Sequence, residues 1–176
     1  SRKEQAGNLW LKVPPEAEKL MDTFWPGPLT LIFRRAECVP DEVTAGLDTV
    51  AVRMPHNPTA LALIEKAGVP VAAPSANLSG KPSPTRAEHV LRDMEGKIPL
   101  ILDGGPCRFG VESTVLSLVG IPTILRPGAV TKEMLGAVIG EVQLADCLLH
   151  PMKAGEKVLS PGMKYRHYAP KAQVYV

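Results

Sequence analysis

Cysteine, aromatic residues and net charge are all scarce in this chain of 176 residues. Its three cysteines stand far apart and form no C-x-x-C pair, which argues against a disulfide scaffold or a zinc ribbon. Aromatic residues make up 5% of the chain and the formal net charge is +2, too little to indicate a nucleic-acid partner. The cysteine usage fits a reducing compartment, so we predict a cytoplasmic protein.

Long apolar runs and the common catalytic motifs are also missing. No run of ~18 apolar residues indicates a membrane span, and the polar first residues do not resemble a signal peptide. The sequence contains no Walker loop and no G-x-G-x-x-G, H-E-x-x-H or G-x-S-x-G motif. We therefore expect no membrane partner, and the standard nucleotide-binding and hydrolase classes are disfavoured.

What the chain does have is apolar content and proline. Hydrophobic residues supply 45% of the sequence, and its 18 prolines fall in short connections between apolar elements. Helical and extended patterns alternate before two strands meet in a hairpin, which predicts an α/β fold with a mixed parallel and antiparallel sheet. The predicted helices cover residues 14–24, 58–67, 85–95 and 131–139, and the predicted strands cover 29–33, 49–54, 69–73, 98–102, 114–119 and 122–125.

The most unusual stretch is the loop from Ala73 to Thr85, A-P-S-A-N-L-S-G-K-P-S-P-T. It is longer than the ~2–6 residues of an ordinary strand-to-helix connection, and long ordered loops are usually functional. An apolar run precedes it, and Thr85 with Glu88 matches a capping box that would open the next helix. A strand, a hydroxyl-rich loop and a helix N-terminus suit anion binding, although an ordinary connection rich in turn residues is also consistent with the pattern.

Several polar side chains lie where predicted strands end. Arg53 could hold a carboxylate by two parallel bonds or form a surface ion pair. Arg126 could hold a phosphate or be a surface arginine. Ser75 and Asn77 could face a ligand or close their own loop by side-chain to backbone bonds. Ser113 leaves the same two alternatives open.

The C-terminal stretch is basic and lacks a helical period. Residues 151–171 contain five basic residues and one acidic residue, and they include the polar string S-P-G-M-K-Y-R-H-Y-A-P at 160–170. His167 and Tyr168 in this string could cover a nucleotide, or the string could be a linker packed on the domain surface. We expect residues 141–171 to act as a basic linker that closes over a nucleotide as a lid.

Seven strings together resemble a known family, the threonylcarbamoyl-AMP synthases with a YrdC-like domain. Their order and spacing are specific, and the resemblance covers about residues 10–176. The strings are W-P-G-P-L-T (25–30), L-D-T-V-A-V-R-M-P (47–55), the loop at 73–85, D-G-G (103–105), G-V-E-S-T-V (110–115), L-R-P-G (125–128) and the string at 160–170, which resembles the linker of the two-domain form.

The resemblance implies a twisted, mixed α/β sheet with flanking helices and an open, concave, positively charged cavity. It also implies an activity, the synthesis of threonylcarbamoyl-adenylate and pyrophosphate from L-threonine, bicarbonate and ATP. The product would serve the t6A modification of tRNA, so tRNA or the complex that transfers the group is a further expected partner. ATP implies Mg²⁺ as a cofactor, held mainly by phosphates and water and not by a protein cage.

The resemblance also assigns residues to the two substrates. Arg53, Ser75 and Ser113 fall where the family holds threonine. The ATP positions of the family correspond to Thr49, Asn77, Thr85, Arg126, His167 and Tyr168. No side chain is assigned a covalent role, because positioning and charge stabilisation suffice for this chemistry.

One departure from the family pattern concerns the first residues. Nothing in residues 1–13 matches the K-x-R phosphate-binding segment with which family members begin, so we expect an internal piece that is inactive alone. The expected organisation is a YrdC-like catalytic domain at 1–140, the linker at 141–171 and the start of a C-terminal domain at 172–176. Two other functions remain open, a non-catalytic RNA-binding module of this fold and the YrdC-like part of a carbamoyltransferase, which the linker and the missing zinc-finger cysteines disfavour.

Overall fold

The structure is a computed structural model that describes residues 3–149. Seven helices and five strands occur in this range. The helices are α1 (Lys3–Gly7), α2 (Pro15–Phe24), α3 (Asp41–Thr44), α4 (Pro58–Ala67), α5 (Ala87–Met94), α6 (Lys132–Ile139) and α7 (Asp146–Leu149). The strands are β1 (Leu29–Arg34), β2 (Thr49–Val52), β3 (Thr114–Ser117), β4 (Thr123–Arg126) and β5 (Gln143–Leu144).

The strands form one mixed sheet in the order β2-β1-β3-β4-β5. β1 pairs antiparallel with β2 and parallel with β3. β3 and β4 form the predicted antiparallel hairpin, with a register shift between Val115 and Leu116, and β4 pairs parallel with β5. The predicted mixed α/β fold is therefore confirmed.

The main core lies where α2 and α6 pack on one face of this sheet. Leu20 of α2, Leu29 and Leu31 of β1, Leu116 of β3 and Leu135 of α6 are all fully buried. Leu29 and Leu31 share a face because side chains alternate along a strand. The central strands β1 and β3 are thus held in place by packing against α2 and α6. The ends of these strands support the candidate site.

Local sequence signals explain where two helices begin. Asn57 caps α4 by accepting hydrogen bonds from the backbone N–H groups of Thr59 and Ala60, and Pro58 supplies the first helical residue. Thr131 caps α6 by accepting from the N–H of Met134. Gly68 ends α4 at φ +70°, a conformation that favours glycine.

Two predicted strands are wrong. Residues 69–73 and 98–102 are not strands in the described part of the chain, and their apolar side chains are largely exposed, with Val69 at 58% and Leu100 at 70%. An apolar run shows that a segment can be a strand, but a strand exists only where a partner accepts its hydrogen bonds. No such partner is present for these runs among residues 3–149.

The predicted capping box at Thr85 is also wrong. α5 begins at Ala87 with Arg86 as its N-cap residue, and no side chain caps it. The Thr85 N–H instead donates to Nδ1 of His89, 3.3 Å away. The ring of His89 takes the acceptor role that the motif gives to a carboxylate, so the helix begins one residue later than the motif suggests.

Some expectations lie outside the described residues. His167, Tyr168 and the segment 150–176 fall there, so the lid and the start of a further domain stay predictions. Within residues 3–149, none of the helices is both long and apolar enough to cross a bilayer.

Candidate functional site

Two arginines at the ends of β2 and β4 supply the positive charge of the candidate site, although β1 and β3 lie between these two strands in the sheet. Arg53 directly follows β2, and Arg126 is the last residue of β4. Burial lowers the pKa of Arg126, the carboxylate of Glu112 raises it, and the charge of Arg53 lowers it. Burial also lowers the pKa of Arg53, and Cys107 raises it. Two guanidinium groups that are partly desolvated and repel each other favour an anion between them.

Ser113 and Thr30 hold Arg126 in place. The Arg126 side chain donates from Nε to the backbone carbonyl of Ser113 and from Nη2 to its Oγ, both at 3.1 Å. The Oγ of Ser113 also shares a hydrogen bond of 2.7 Å with the Oγ1 of Thr30 in β1. Ser113 is only 4% exposed. Its clearest role in this structure is therefore to orient a guanidinium group, in addition to any contact with a substrate.

Ser83 fastens the loop 73–85 to the segment that precedes β3. Ser83 Oγ donates to Oε1 of Glu112 at 2.7 Å, and Glu112 is the carboxylate that acts on Arg126. The backbone carbonyl of Thr85 accepts from the N–H of Cys107 at 2.9 Å. These two bonds connect the loop to the segment that leads into β3, which lies 22 to 29 positions further along the chain.

Asn77 closes a turn within the same loop. Its Nδ2 donates to the backbone carbonyls of Leu78 and Lys81, each at 2.9 Å. Its Oδ1 is buried and has no hydrogen-bond partner in the part of the chain that the structure describes. The amide nitrogen thus performs the loop closure that was the alternative to ligand binding. Ser75, two residues earlier, is exposed.

The cavity beside this loop has a volume of about 430 Å³. It lies between the stretch from Lys81 to Thr85 and the helix α5, and its wall includes His89 and Arg92. Thr85 Oγ1 lies 3.5 Å from Nδ1 of His89. Hydroxyl groups, the cations Lys81 and Arg92 and the carboxylate of Asp93 border the cavity, which suits a polar ligand.

The structure brings some of the predicted site residues together and leaves others apart. Ser113 and Arg126 are joined by hydrogen bonds, and the charge of Arg53 acts on Arg126. Thr49 stands at the other end of β2, paired with Arg34 in the sheet, roughly 13 Å along the strand from Arg53. Any ligand that meets both residues must extend along this strand.

Four residues that contribute to the site were missed by reasoning from the sequence. Thr30, Ser83, Glu112 and Asp93 each hold a predicted site residue or its loop in place. Thr30 and Glu112 lie inside strings that had been noted, W-P-G-P-L-T and G-V-E-S-T-V, so polar residues within those strings were the available signal. Asp93 sits on a helix in no such string, and only its burial reveals it.

The arrangement can bind and orient anions. It offers two guanidinium groups, one carboxylate and several hydroxyl groups at the ends of strands, with a polar cavity nearby. Among residues 3–149 no group of three or more His, Cys, Asp or Glu side chains could together hold a metal ion. The fold and the site define a mixed α/β protein whose strand ends carry polar groups that suit a small anionic ligand.

The comparisons with known proteins identify the family. A family model named Sua5_yciO_yrdC and described as "Telomere recombination" matches residues 1–128. The chain belongs to this Sua5/YciO/YrdC family. A second model, the C-terminal domain of threonylcarbamoyl-AMP synthase, matches residues 130–176.

Similar proteins are found in bacteria and archaea. The chain is 56% identical to a threonylcarbamoyl-AMP synthase of Bacillus subtilis over 93% of its own length and 47% of the relative's. It is 54% identical to the synthase of Pyrococcus abyssi over 98% of its length and 51% of the relative's. The chain thus spans about half the length of the curated relatives it matches.

Solved structures agree with the fold. The crystal structure of P. abyssi Sua5 complexed with L-threonine superposes with a TM-score of 0.91 at 52% identity, covering 98% of this chain and 51% of the other. Escherichia coli YciO superposes with a TM-score of 0.65 at 27% identity, covering 73% of this chain and 63% of the other. The resemblance inferred from the seven strings is confirmed.

Proposed function

We propose that this chain is part of an L-threonylcarbamoyladenylate synthase, a nucleotidyltransferase that uses L-threonine, bicarbonate and ATP. The observation that carries the proposal is Arg126, held at the end of β4 by two hydrogen bonds to Ser113, with the charge of Arg53 acting on it. This pair lies in a chain 54% identical to a protein named threonylcarbamoyl-AMP synthase. The crystal structure of P. abyssi Sua5, which is 52% identical to this chain, is a complex with L-threonine.

The proposed reaction has two steps. The amine of threonine first takes up bicarbonate with loss of water, which gives an N-carboxylated threonine. An oxygen of the new carboxylate then attacks the α-phosphorus of ATP, the bond from this phosphorus to the bridging oxygen breaks, and pyrophosphate leaves. The protein needs to align two anions and stabilise the charge between them, and no covalent help from a side chain is required.

The proposed roles follow the chemistry of each side chain. Arg53 binds the threonine carboxylate, because a guanidinium group matches a carboxylate with two parallel bonds. Arg126 faces the phosphates, and its orientation depends on Ser113. Ser75 serves threonine, and Ser113 acts on threonine directly or through Arg126. Thr49, Asn77 and Thr85 serve the nucleotide, which enters as its Mg²⁺ complex with the metal held by phosphate oxygens and water.

The decisive experiment measures pyrophosphate release by the full-length protein. Release should require threonine, bicarbonate and ATP together, and mass spectrometry should detect threonylcarbamoyl-adenylate. Arg53→Ala should reduce the rate strongly, whereas Arg34→Ala, which removes an exposed arginine paired with Asp48, should not. ATP hydrolysis that ignores threonine would contradict the proposal.

The partners and the linker belong to the same proposal. The product would pass to tRNA or to the complex that transfers the group, in the cytoplasm. The proposed organisation places the catalytic domain at residues 1–140, the basic lid at 141–171 with His167 and Tyr168, and a further domain from residue 172. Binding of tRNA without any adenylate synthesis would instead favour the RNA-binding alternative.

A further inference from the structure

Asp93 is a buried carboxylate for which the proposed reaction has no use. Among the residues whose burial the structure describes, it is the only charged residue in the buried class, at 8% exposed. It lies on α5, where the other residues are exposed or half-buried. Removing a carboxylate from water is costly unless it is paired and hydrogen-bonded. The contacts of Asp93 should therefore explain its position.

Both carboxylate oxygens of Asp93 point to the loop 73–85. Oδ1 accepts from Nζ of Lys81 at 2.7 Å, and Oδ2 accepts from the backbone N–H of Leu78 at 3.3 Å. The hydrogen bond from Lys81 is the main reason that the pKa of Asp93 is lowered. On its other side, the backbone carbonyl of Asp93 accepts from Nζ of Lys97 at 2.8 Å. Asp93 thus connects the loop to α5 through its side chain, while Lys97 holds the backbone of Asp93.

Asp93 forms its hydrogen bonds with the turn that Asn77 closes. Nδ2 of Asn77 spans the carbonyls of Leu78 and Lys81, and the N–H of Lys81 donates to the carbonyl of Leu78 at 3.0 Å. Asp93 contacts these same two residues. The carboxylate and the amide therefore both hold this turn, and the orientation of Asn77 depends on both.

We propose that Asp93 is a positioning residue that holds the Asn77–Lys81 turn, and with it the Asn77 side chain, in the orientation that receives the nucleotide. The inference rests on the proposed function, in which Asn77 serves ATP. Asp93 acts through this turn, although it also lies in the wall of the neighbouring cavity. The buried Oδ1 of Asn77, which lacks a hydrogen-bond partner within residues 3–149, is the atom whose placement Asp93 controls.

The test compares Asp93→Ala and Asp93→Asn with Glu88→Gln in the full-length protein. Glu88 is an exposed carboxylate on the same helix, and Glu88→Gln removes the same charge without touching the loop. We expect Asp93→Ala to raise the KM for ATP about tenfold, the scale of one hydrogen bond to a charged group, with little change in kcat. Asp93→Asn retains one acceptor for the Leu78 N–H and should lie between wild type and Asp93→Ala.

A purely structural role predicts a different result. Loss of folded enzyme would lower the apparent kcat and leave the KM for ATP unchanged. Hydrogen exchange of the backbone N–H groups from residue 77 to 81 supplies a readout without turnover, and it should be severalfold faster in Asp93→Ala than in Glu88→Gln. An unchanged KM, or unchanged exchange in this turn, would overturn the inference.

The two proposals fail in different ways. If wild type releases threonine-dependent pyrophosphate and Asp93→Ala keeps the wild-type KM for ATP, only the role of Asp93 is refuted. If wild type releases none, the proposed reaction is refuted, and calorimetric titration with ATP then decides whether the turn receives a nucleotide. Equal ATP affinity in wild type and Asp93→Ala would refute the positioning role there too.

Discussion

Arg53 is the residue on which threonine recognition is proposed to depend. Arg53→Lys keeps the positive charge and loses the planar fork that matches a carboxylate. We expect calorimetry on the full-length protein to show threonine binding weakened by about 1–3 kcal/mol, the scale of a charge-assisted hydrogen bond. Arg34→Lys is the matched control, because Arg34 is exposed and pairs with Asp48 on the surface. Unchanged affinity in Arg53→Lys would remove this residue from the threonine site.

Thr30 is the residue that supports the other arginine. Thr30→Val keeps the shape of the side chain and removes the hydroxyl that bonds Ser113. Because Ser113 is buried, we expect the free energy of unfolding in urea to fall by about 1–2 kcal/mol. Thr123→Val removes a hydroxyl bonded to the nearby carbonyl of Ile121 and should change stability by less than about 0.5 kcal/mol. Equal effects in both variants would contradict the supporting role.

The connection of α4 to the D-G-G segment depends on Asn57. Its Oδ1 caps α4, while its Nδ2 donates to the carbonyl of Gly104 at 2.8 Å. A Cβ on Gly104 would lie 2.7 Å from that Nδ2, so a glycine is needed for the close approach. One side chain thus starts a helix and holds a loop about 47 positions further along the chain.

Two variants separate these roles of Asn57. Asn57→Ala removes both and should cost about 1–2 kcal/mol of stability in urea unfolding, as lost N-caps do. Asn57→Asp keeps the cap and loses the donor, so it should cost less, while hydrogen exchange across residues 103–105 should rise as much as in Asn57→Ala. If exchange there stays at the wild-type rate in Asn57→Asp, the link to Gly104 does not hold the loop.

The free energy of unfolding in acid should reveal the contribution of the contact between Asp93 and Lys81. Its pKa in the folded state lies below the unfolded value because Lys81 donates to it. Its contribution is therefore present above the unfolded pKa of about 4 and is lost as the pH falls through the folded pKa. Urea unfolding should show wild type more stable than Asp93→Asn at pH 6, with the difference shrinking as the pH falls below the unfolded pKa of about 4. A difference that does not shrink as the pH falls would contradict this origin.

The lid proposal is a prediction about the whole protein. Residues 153–170 lie outside the described range, and their basic residues would meet phosphate charge if the segment closes over a bound nucleotide. We expect hydrogen exchange of this segment to slow when ATP and threonine are added together. Equal exchange with and without the substrates would make it a passive linker and would remove His167 and Tyr168 from the proposed site.

The sequence alone determined the elements whose signals are local. Pro15, Asn57 and Thr131 predict the starts of α2, α4 and α6, and Gly68 predicts an end, because caps and prolines act on backbone groups within a few residues. The β3 and β4 hairpin follows from two short strands around a turn. Arg53 and Arg126 were found because each stands where a strand ends.

Only the tertiary structure decided which segments pair and which polar groups meet. The apolar runs at 69–73 and 98–102 look like strands, but strand formation depends on a partner that no local pattern contains. The contacts of Ser113 with Thr30 and of Asp93 with Lys81 join residues that are 83 and 12 positions apart. A buried carboxylate and an exposed one have the same letter in the sequence, and only packing, which sets the cost of desolvation, distinguishes them.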